Sequence, residues 1–508
     1  MESNKVSSVI IQGVEGQRVE IEASLHAGLN VFKVVGLPDR AITEAKERIT
    51  SAILASGLDY PYGALTVNLT PAFMPKAGTS LDLAIALACL QAQAGSDIAV
   101  FGELGLDGTT RKSESAASFV IAAKELGFSY AMIPKANHED CIRIPGIEII
   151  SVVSLQEALQ LIKQPSVLMA NSKLKSKPYS SNPNNPLEPK KKQPELPPAQ
   201  KLLLLTARED LLEIMEIAVA GAHNMLFDGP PGGGKSTLMN LLPLLAPELA
   251  QKEQLEVYKL HSLVGKIGYN QAKRPPLRSP HHSISQVALI GGGSTPTPGE
   301  ITLAHNGFLF LDEVGEFDAS TLDAMREPMI SGEITISRAN YKVKFPARFQ
   351  LLASRNPCPC GWYEDPSGRC TCSLHEISRY QKKLSGAMLD RIDIKQLIER
   401  IDEFESSGIT VEQAKERFLK SKLRIANARI MQKERFGCLN ARYDNPLDRG
   451  LIRISAAAEA DHSKLHKKGD LSLRSANKIL MLARTIADLE SSEKIEPSHI
   501  EKGYLLNI

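Results

Sequence analysis

The 508-residue sequence contains no apolar run long enough to span a bilayer, which excludes a helical membrane anchor. Its first residues are mixed and polar, so they do not form the apolar core of a secretory signal. Nor is there an excess of charge: 60 Lys and Arg against 58 Asp and Glu leave a formal +2. So even a balance neither demands nor excludes a nucleic-acid partner, and any basic surface must be local. No internal repeat is apparent. Cysteine is sparse, seven in all, with four crowded between Cys358 and Cys372. Without a secretory signal, that pattern favours free thiols or a metal site over a disulfide scaffold. The expectation is a soluble cytoplasmic protein that makes no membrane contact. What is present is apolar material, 43% of residues, enough for real cores in about three domains on a prior of roughly 150 residues each.

The chain divides at residues 164–199, where Pro183, Pro186, Pro189, Pro194, Pro197 and Pro198 stand among Ser, Asn and Lys. This reads as a flexible tether whose lysines serve solvation or touch an acidic polymer. In residues 1–163 the pattern predicts strands at 6–11, 17–23 and 65–69. Helices are expected at 40–56, 81–93 and 113–126, which makes a compact α+β domain. Residues 200–395 form the nucleotide domain, and residues 396–508 read as helical, ending in an amphipathic helix over 473–489. The fold class is multidomain α/β.

The strongest motif is Gly229-Pro230-Pro231-Gly232-Gly233-Gly234-Lys235-Ser236, the phosphate-cradling G-x-x-x-x-G-K-[ST] loop. An apolar run at 224–228 precedes it and a helix-like segment opening at Thr237 comes after it, which is the strand–loop–helix context the motif requires. Its glycines let backbone N–H groups converge on phosphate oxygens. Lys235 reaches the β/γ-phosphates of ATP, and Ser236 ligates Mg²⁺. Farther on, Phe308-Leu-Phe-Leu311 reads as a buried strand ending in Asp312-Glu313. Asp312 suits the Mg²⁺ shell, and Glu313 suits polarising the attacking water. A second apolar strand, at 349–353, ends in Ser354-Arg355-Asn356, with Asn356 placed to sense the γ-phosphate. Arg391, after Leu389-Asp390, suits an arginine finger that completes a neighbour's site, and Arg474 opens the last long helix.

These motifs, with Arg278-Ser-Pro-His281-His282, Gly291-Gly-Gly293, the stretch from Pro298 to Glu313 and Asn356-Pro-Cys-Pro-Cys-Gly361, resemble the magnesium-chelatase-like AAA+ ATPases, most closely the bacterial ComM (YifB-type) group. The resemblance covers nearly the whole chain. It implies an AAA+ core, a C-terminal helical lid and a homo-hexameric ring that hydrolyses ATP to drive DNA branch migration in recombination and natural transformation. It further implies recombination proteins as partners, Arg391 as the finger acting in trans, and Arg474 as the sensor in the lid. Ala387 stands where the group commonly has Pro, and Arg355 precedes the sensor Asn.

Residues 333–345 read as a β-hairpin with a tip at 339–340. Lys342 and Lys344 fall on one face, with Tyr341, Val343 and Phe345 on the other. In related ring ATPases this hairpin enters the central channel. There Arg338 and Lys342 would hold DNA phosphates, joined by Lys344, with Tyr341 available for stacking. The glycine-rich stretch 283–298 is a second candidate channel loop, and His281 and His282 before it are read as structural. Cys358, Cys360, Cys370 and Cys372 form two C-x-C pairs. Four thiolates there would wrap one structural Zn²⁺, although the pairs are tighter than the usual C-x₂-C. Reduced thiols or a stress-formed disulfide are the alternatives.

The segment Pro75-Lys-Ala-Gly78-Thr-Ser80, with Gly102-Glu-Leu-Gly-Leu-Asp-Gly108, is similar to the proteolytic domain of Lon-type proteases. Ser80 stands at the nucleophile position, but Ala117 occupies the place of the lysine that would activate it, and Lys112 and Lys124 are out of phase. Ser80 is therefore expected to cap the helix at 81–93. Two other readings compete with the DNA motor: an ATPase that remodels a protein partner for metal insertion, and a Lon-like ATP-dependent protease.

Overall fold

The alternating apolar residues at the start of the chain form the hairpin they predict. Lys5–Gln12 pairs antiparallel with Glu15–His26, placing Val6 opposite Ile21, and both side chains are fully buried. The computed structural model describes residues 5–72, 76, 78–92, 94–163, 196–265, 267–293, 296–338, 341–363, 368–399, 409–445, 448–467 and 471–507. The tether at 164–199 therefore lies almost wholly outside the described residues. The chain folds as two units, residues 1–189 with 251–273, and residues 190–250 with 274–508.

In the first unit the hairpin is the centre of a seven-stranded sheet. Its order is Val31–Val35, Ala64–Thr70, Glu15–His26, Lys5–Gln12, Ile98–Val100, Tyr130–Pro134 and Glu148–Val152. The last three strands run parallel to Lys5–Gln12 and to one another. This parallel half goes beyond the α+β expectation. Ile98–Val100 and Tyr130–Pro134 are three and five residues long and almost wholly buried, so they lack the alternation that reveals a half-exposed strand. Helix Arg40–Ala55 forms as expected, opened by Asp39, whose carboxylate accepts from the Ile42 N–H at 2.8 Å.

The expected cap by Ser80 is not found. The helix spans only Asp82–Cys89, and its N-cap position is Leu81, with no side-chain cap. Backbone bonding explains the difference: the Ser80 carbonyl accepts from the Gly102 N–H at 2.9 Å, which fixes that residue outside the helix. Asp82 instead turns inward to meet Arg48 at 2.8 Å.

Helix Ala116–Glu125 is covered by an unexpected partner. The helix Gln251–Ser262 lies between the P-loop and the Phe308–Leu311 strand in sequence, yet it belongs to the first unit. The Ser118 hydroxyl donates to the Lys259 carbonyl at 2.8 Å, Lys259 Nζ to Glu125 at 2.5 Å, and the Tyr258 hydroxyl to the Asp140 carbonyl at 2.7 Å.

The second unit is built on a five-stranded parallel sheet in the order Leu277–Arg278, Phe308–Leu311, Gln350–Arg355, Met225–Asp228 and Ile394–Leu397. Its three central strands are almost wholly buried, as strands covered on both faces are. The long helix Val411–Phe436 starts at a capping box of Thr410 and Gln413 and stops at Gly437, whose φ of 71° suits glycine. Phe418 and Ile425 of that helix, with Leu482 and Ile486 of Leu473–Leu489, share one core with Phe227 and Phe308 of the sheet. The helical region and the sheet thus belong to one unit. Among the described residues no helix is long and apolar enough to cross a membrane.

Candidate active site

Three parallel strands end on the same side of the sheet, and their carboxyl ends make the site, as open α/β sheets do. Met225–Asp228 runs into the P-loop. Gly229 must be glycine there, because a Cβ would sit 2.1 Å from the Ile398 carbonyl oxygen. Gly234, at φ 76°, turns the chain into helix Lys235–Leu241. An open cleft of about 340 Å³ is lined by the loop from Pro231 to Thr237, by Asp312 and Glu313, and by Ser354 and Asn356.

Lys235 Nζ donates to the carbonyls of Gly229 and Pro230 at 2.6 and 2.7 Å, and to Asn356 Oδ1 at 3.1 Å. Burial lowers its pKa, opposed by the charges of Asp228, Asp312 and Glu313. An ammonium so placed has all three protons aimed at neutral oxygens, which a phosphate would exchange at a gain. The Ser236 hydroxyl donates to Asp312 Oδ1 at 2.9 Å. This hydroxyl–carboxylate pair is the donor set that fits Mg²⁺ in P-loop sites. Glu313 stands at φ 51°, a left-handed conformation that costs a non-glycine residue about 1 kcal/mol or more. It is held by its N–H donating to Ser354 Oγ at 3.0 Å, and its side chain is exposed to the cleft.

Ser354 has no role in the sequence reading, yet it bridges the site: its hydroxyl also donates to Asp312 Oδ1. The unusual Arg355 forms an ion pair with Asp228, its register partner on the neighbouring strand, with Nε at 3.0 Å from Oδ2. The pair ties strand Gln350–Arg355 to the residue just before the P-loop.

Arg391 and Arg474 lie elsewhere. Arg391 precedes strand Ile394–Leu397, and its carbonyl accepts from Asn224 Nδ2 at 2.9 Å, at the amino ends of the strands. Lys478, one turn beyond Arg474, donates to the Ile392 carbonyl at 2.9 Å on the same edge. Neither arginine lines the cleft of its own chain. Burial, then the charges of Arg474 and Arg326, pull the Arg391 pKa below its ordinary value, and its Nε is buried without a hydrogen bond. The structure thus gathers three arginines, including Arg326, which the sequence reading did not single out.

The hairpin Glu333–Arg338 and Tyr341–Pro346 forms in the expected register, Ser337 opposite Lys342. Lys342 and Lys344 are exposed, while Val343 and Phe345 are buried. Lys344 is tied to Glu333 at 3.1 Å, which leaves Lys342 the more available charge. The tip at 339–340 and the side chains of Arg338 and Tyr341 lie outside the described residues. His281 and His282 stack on each other at 4.0 Å, and His282 meets Phe317 edge-on. Among the described residues the metal-ligand cluster is the four cysteines Cys358, Cys360, Cys370 and Cys372, whose sulfurs all lie within 4.8 Å of one another. Backbone N–H groups of Trp362 and Thr371 pull the Cys360 thiol down to about 6.

Residues 205–406 match the family described as "Magnesium chelatase, subunit ChlI", residues 21–137 match "Subunit ChlI of Mg-chelatase", and residues 416–505 match its C-terminal region. The chain is 35% identical to the competence protein ComM of Haemophilus influenzae, over 97% of its own length and 94% of that protein. It is likewise 35% identical to the YifB protein of Escherichia coli K12, over 97% and 94%. Similarity to the magnesium-chelatase 38 kDa subunit of Rhodobacter capsulatus is 26%, over 30% of this chain and 49% of that one.

Proposed function

The chain belongs to the ComM/YifB-type family of magnesium-chelatase-like ATPases, and from that footing we propose that it is a ring-forming motor that promotes branch migration of joint DNA molecules. The proposed setting is homologous recombination and natural transformation in the cytoplasm, with recombination proteins as further partners. The competence protein ComM, alike over nearly its whole length, supports that setting.

One observation carries the ring: Arg391 and Arg474 stand at the edge of the sheet away from their own P-loop. An arginine with a buried, unpartnered Nε and two like charges beside it is suited to an anion that its own subunit does not bring. In a ring of head-to-tail copies, a homo-hexamer in this reading, that anion is the γ-phosphate in the neighbour's cleft. Within each cleft, Lys235 and the P-loop N–H groups bind the phosphates, Asn356 positions, and Glu313 polarises the attacking water. Ser236 and Asp312 would hold the Mg²⁺, which would supply charge neutralisation at the phosphates.

DNA enters this reading through the hairpin. Lys342 and Lys344 are exposed on one face of the hairpin, Lys344 being tied to Glu333, and Arg338 and Tyr341 are the further residues this reading assigns to phosphate contact and stacking. The helices of 396–508 serve as the lid. The first unit is a Lon-protease-like domain without proteolysis: Ala117 is buried in helix Ala116–Glu125, and Lys112 is paired with Asp140 at 3.8 Å. Four cysteine thiolates hold a structural Zn²⁺.

The deciding experiment supplies ATP, Mg²⁺ and a synthetic four-way or three-strand junction. The expected products are the duplexes of branch migration, with blunt unbranched duplex a poor substrate. ATP turnover indifferent to every DNA form, with no strand displacement, would instead favour a metal-insertion or protein-remodelling ATPase.

A further inference from the structure

The cysteine cluster touches the ATP site from two sides. Cys358 stands two residues beyond Asn356 and is fully buried. Cys372 immediately precedes Ser373, which opens helix Leu374–Lys382 with a capping box to Glu376. That helix carries Tyr380 against the turn after Glu313: a Cβ at Gly315 would lie 2.3 Å from Tyr380 Cζ. Gln381 reaches back, its Nε2 donating to the Pro357 carbonyl at 3.2 Å. On the other side the knuckle abuts the P-loop, since a Cβ at Gly361 would lie 2.7 Å from Pro231 Cδ.

The four sulfurs all lie within 4.8 Å of one another, close enough for one metal ion to reach them. Cys358 and Cys360 are 3.3 Å apart, Cys360 and Cys370 3.7 Å, and Cys358 and Cys370 3.9 Å. Four thiolates at about 2.3 Å from one Zn²⁺ make a tetrahedron with edges of about 3.8 Å. A disulfide needs sulfurs at about 2.05 Å. Arg369 lies 5.1 Å from the centre of the Trp362 ring, so the ends of the segment between the two C-x-C pairs meet, and a metal cross-link would hold the same ends.

We propose that Cys358, Cys360, Cys370 and Cys372 bind a zinc-class cation, and that the loaded cluster clamps Asn356 and the Tyr380 helix around Glu313, setting the rate of ATP hydrolysis without setting nucleotide affinity. This rests on the ATPase reading and is independent of DNA. Affinity comes from the P-loop N–H groups and Lys235, which strand Met225–Asp228 and helix Lys235–Leu241 hold. Asn356 is anchored on its carboxyl side by the cluster, whose first cysteine comes two residues later. The cysteines are positioning residues.

The test starts with the metal content of the full-length chain from zinc-supplied cells, expected at about one zinc per chain. Cys360→Ser with Cys372→Ser should lose the metal and turn ATP over about 10²-fold more slowly, the scale of a misplaced catalytic group. Its affinity for a fluorescent ATP analogue should stay at the parental value. Should that variant not fold, stepwise stripping of the parent with a mercurial thiol reagent replaces it. Turnover should then fall in proportion to zinc released and return after reductant and Zn²⁺. Absence of metal from the parent overturns the site. Metal loss with unchanged turnover, or affinity lost in step with turnover, overturns the clamp. A parent that never hydrolyses ATP removes the ATPase reading instead.

Discussion

Replacing Arg391 by alanine should abolish ATP turnover while leaving a protein that a second dead variant can rescue. The strand Met225–Asp228 has four residues, so the sheet edge that carries Arg391 and the edge that carries the P-loop are about 13 Å apart at roughly 3.3 Å per residue. Arg391 at the amino edge, its Nη1 donating to the Ala387 carbonyl, is not among the residues that line the cleft. Arginine fingers contribute about 10³- to 10⁵-fold to phosphoryl transfer, or roughly 4–7 kcal/mol of barrier at 1.36 kcal/mol per decade. Arg391→Ala alone should therefore fall to near background, and so should Lys235→Ala.

A mixed ring differs. A working interface needs an intact loop on one subunit and an intact finger on the next. In an equal, random mixture of the two variants about a quarter of the head-to-tail interfaces meet that need. Turnover plotted against mixing ratio should rise to a maximum near equal parts and vanish at both ends. Subunit exchange can be verified by energy transfer between labelled rings. With exchange confirmed, a flat line at background would refute a finger in trans and return Arg391 to a structural role.

Glu313→Gln should bind nucleotide at the parental affinity and lose about 10²- to 10⁴-fold in turnover, checked by measuring bound nucleotide beside hydrolysis. For the hairpin, Lys342→Ala should lower the slope of log affinity for DNA against log salt by about one unit. Lys344→Ala should lower it less, because Glu333 already neutralises that ammonium; equal slopes for both would discount the ion pair. A fragment of residues 1–163 should melt far below the same fragment fused to residues 251–273 and should bind a hydrophobic dye. Val257, Tyr258 and Leu260 are buried in this unit, and each is worth about 1.5–3 kcal/mol of burial.

Where local chemistry decides local structure, the sequence was legible. The P-loop, the acidic pair after Phe308–Leu311, Asn356 and the hairpin register all derive from short-range patterns, and each stands where those patterns put it. The parallel strands Ile98–Val100 and Tyr130–Pro134 did not announce themselves, because a strand buried on both faces shows no period-two alternation. Ser80 misled for a related reason. A serine before an apolar helix is a good cap in isolation, but long-range backbone bonds to Gly102 had already fixed its place. Helix Gln251–Ser262 was illegible as part of the first unit, since nothing in its own spacing says which core it covers.

The site shows the same division in sharper form. Ser354 and Arg355 were in plain view beside Asn356, and their roles depend on which strand lies alongside. Strand order is a long-range fact: Gln350–Arg355 pairs with Met225–Asp228 across more than a hundred residues, and that pairing brings Arg355 to Asp228. Strand direction is another. Arg391 and the P-loop sit at opposite ends of strands that run parallel, so the polarity of the sheet separates that arginine from the P-loop within one chain. An antiparallel last strand would have brought Arg391 to the carboxyl ends of the other strands, beside its own P-loop. In the proposed ring the need for a neighbour would follow from sheet polarity, that is, from the direction of a four-residue strand more than from the identity of any side chain.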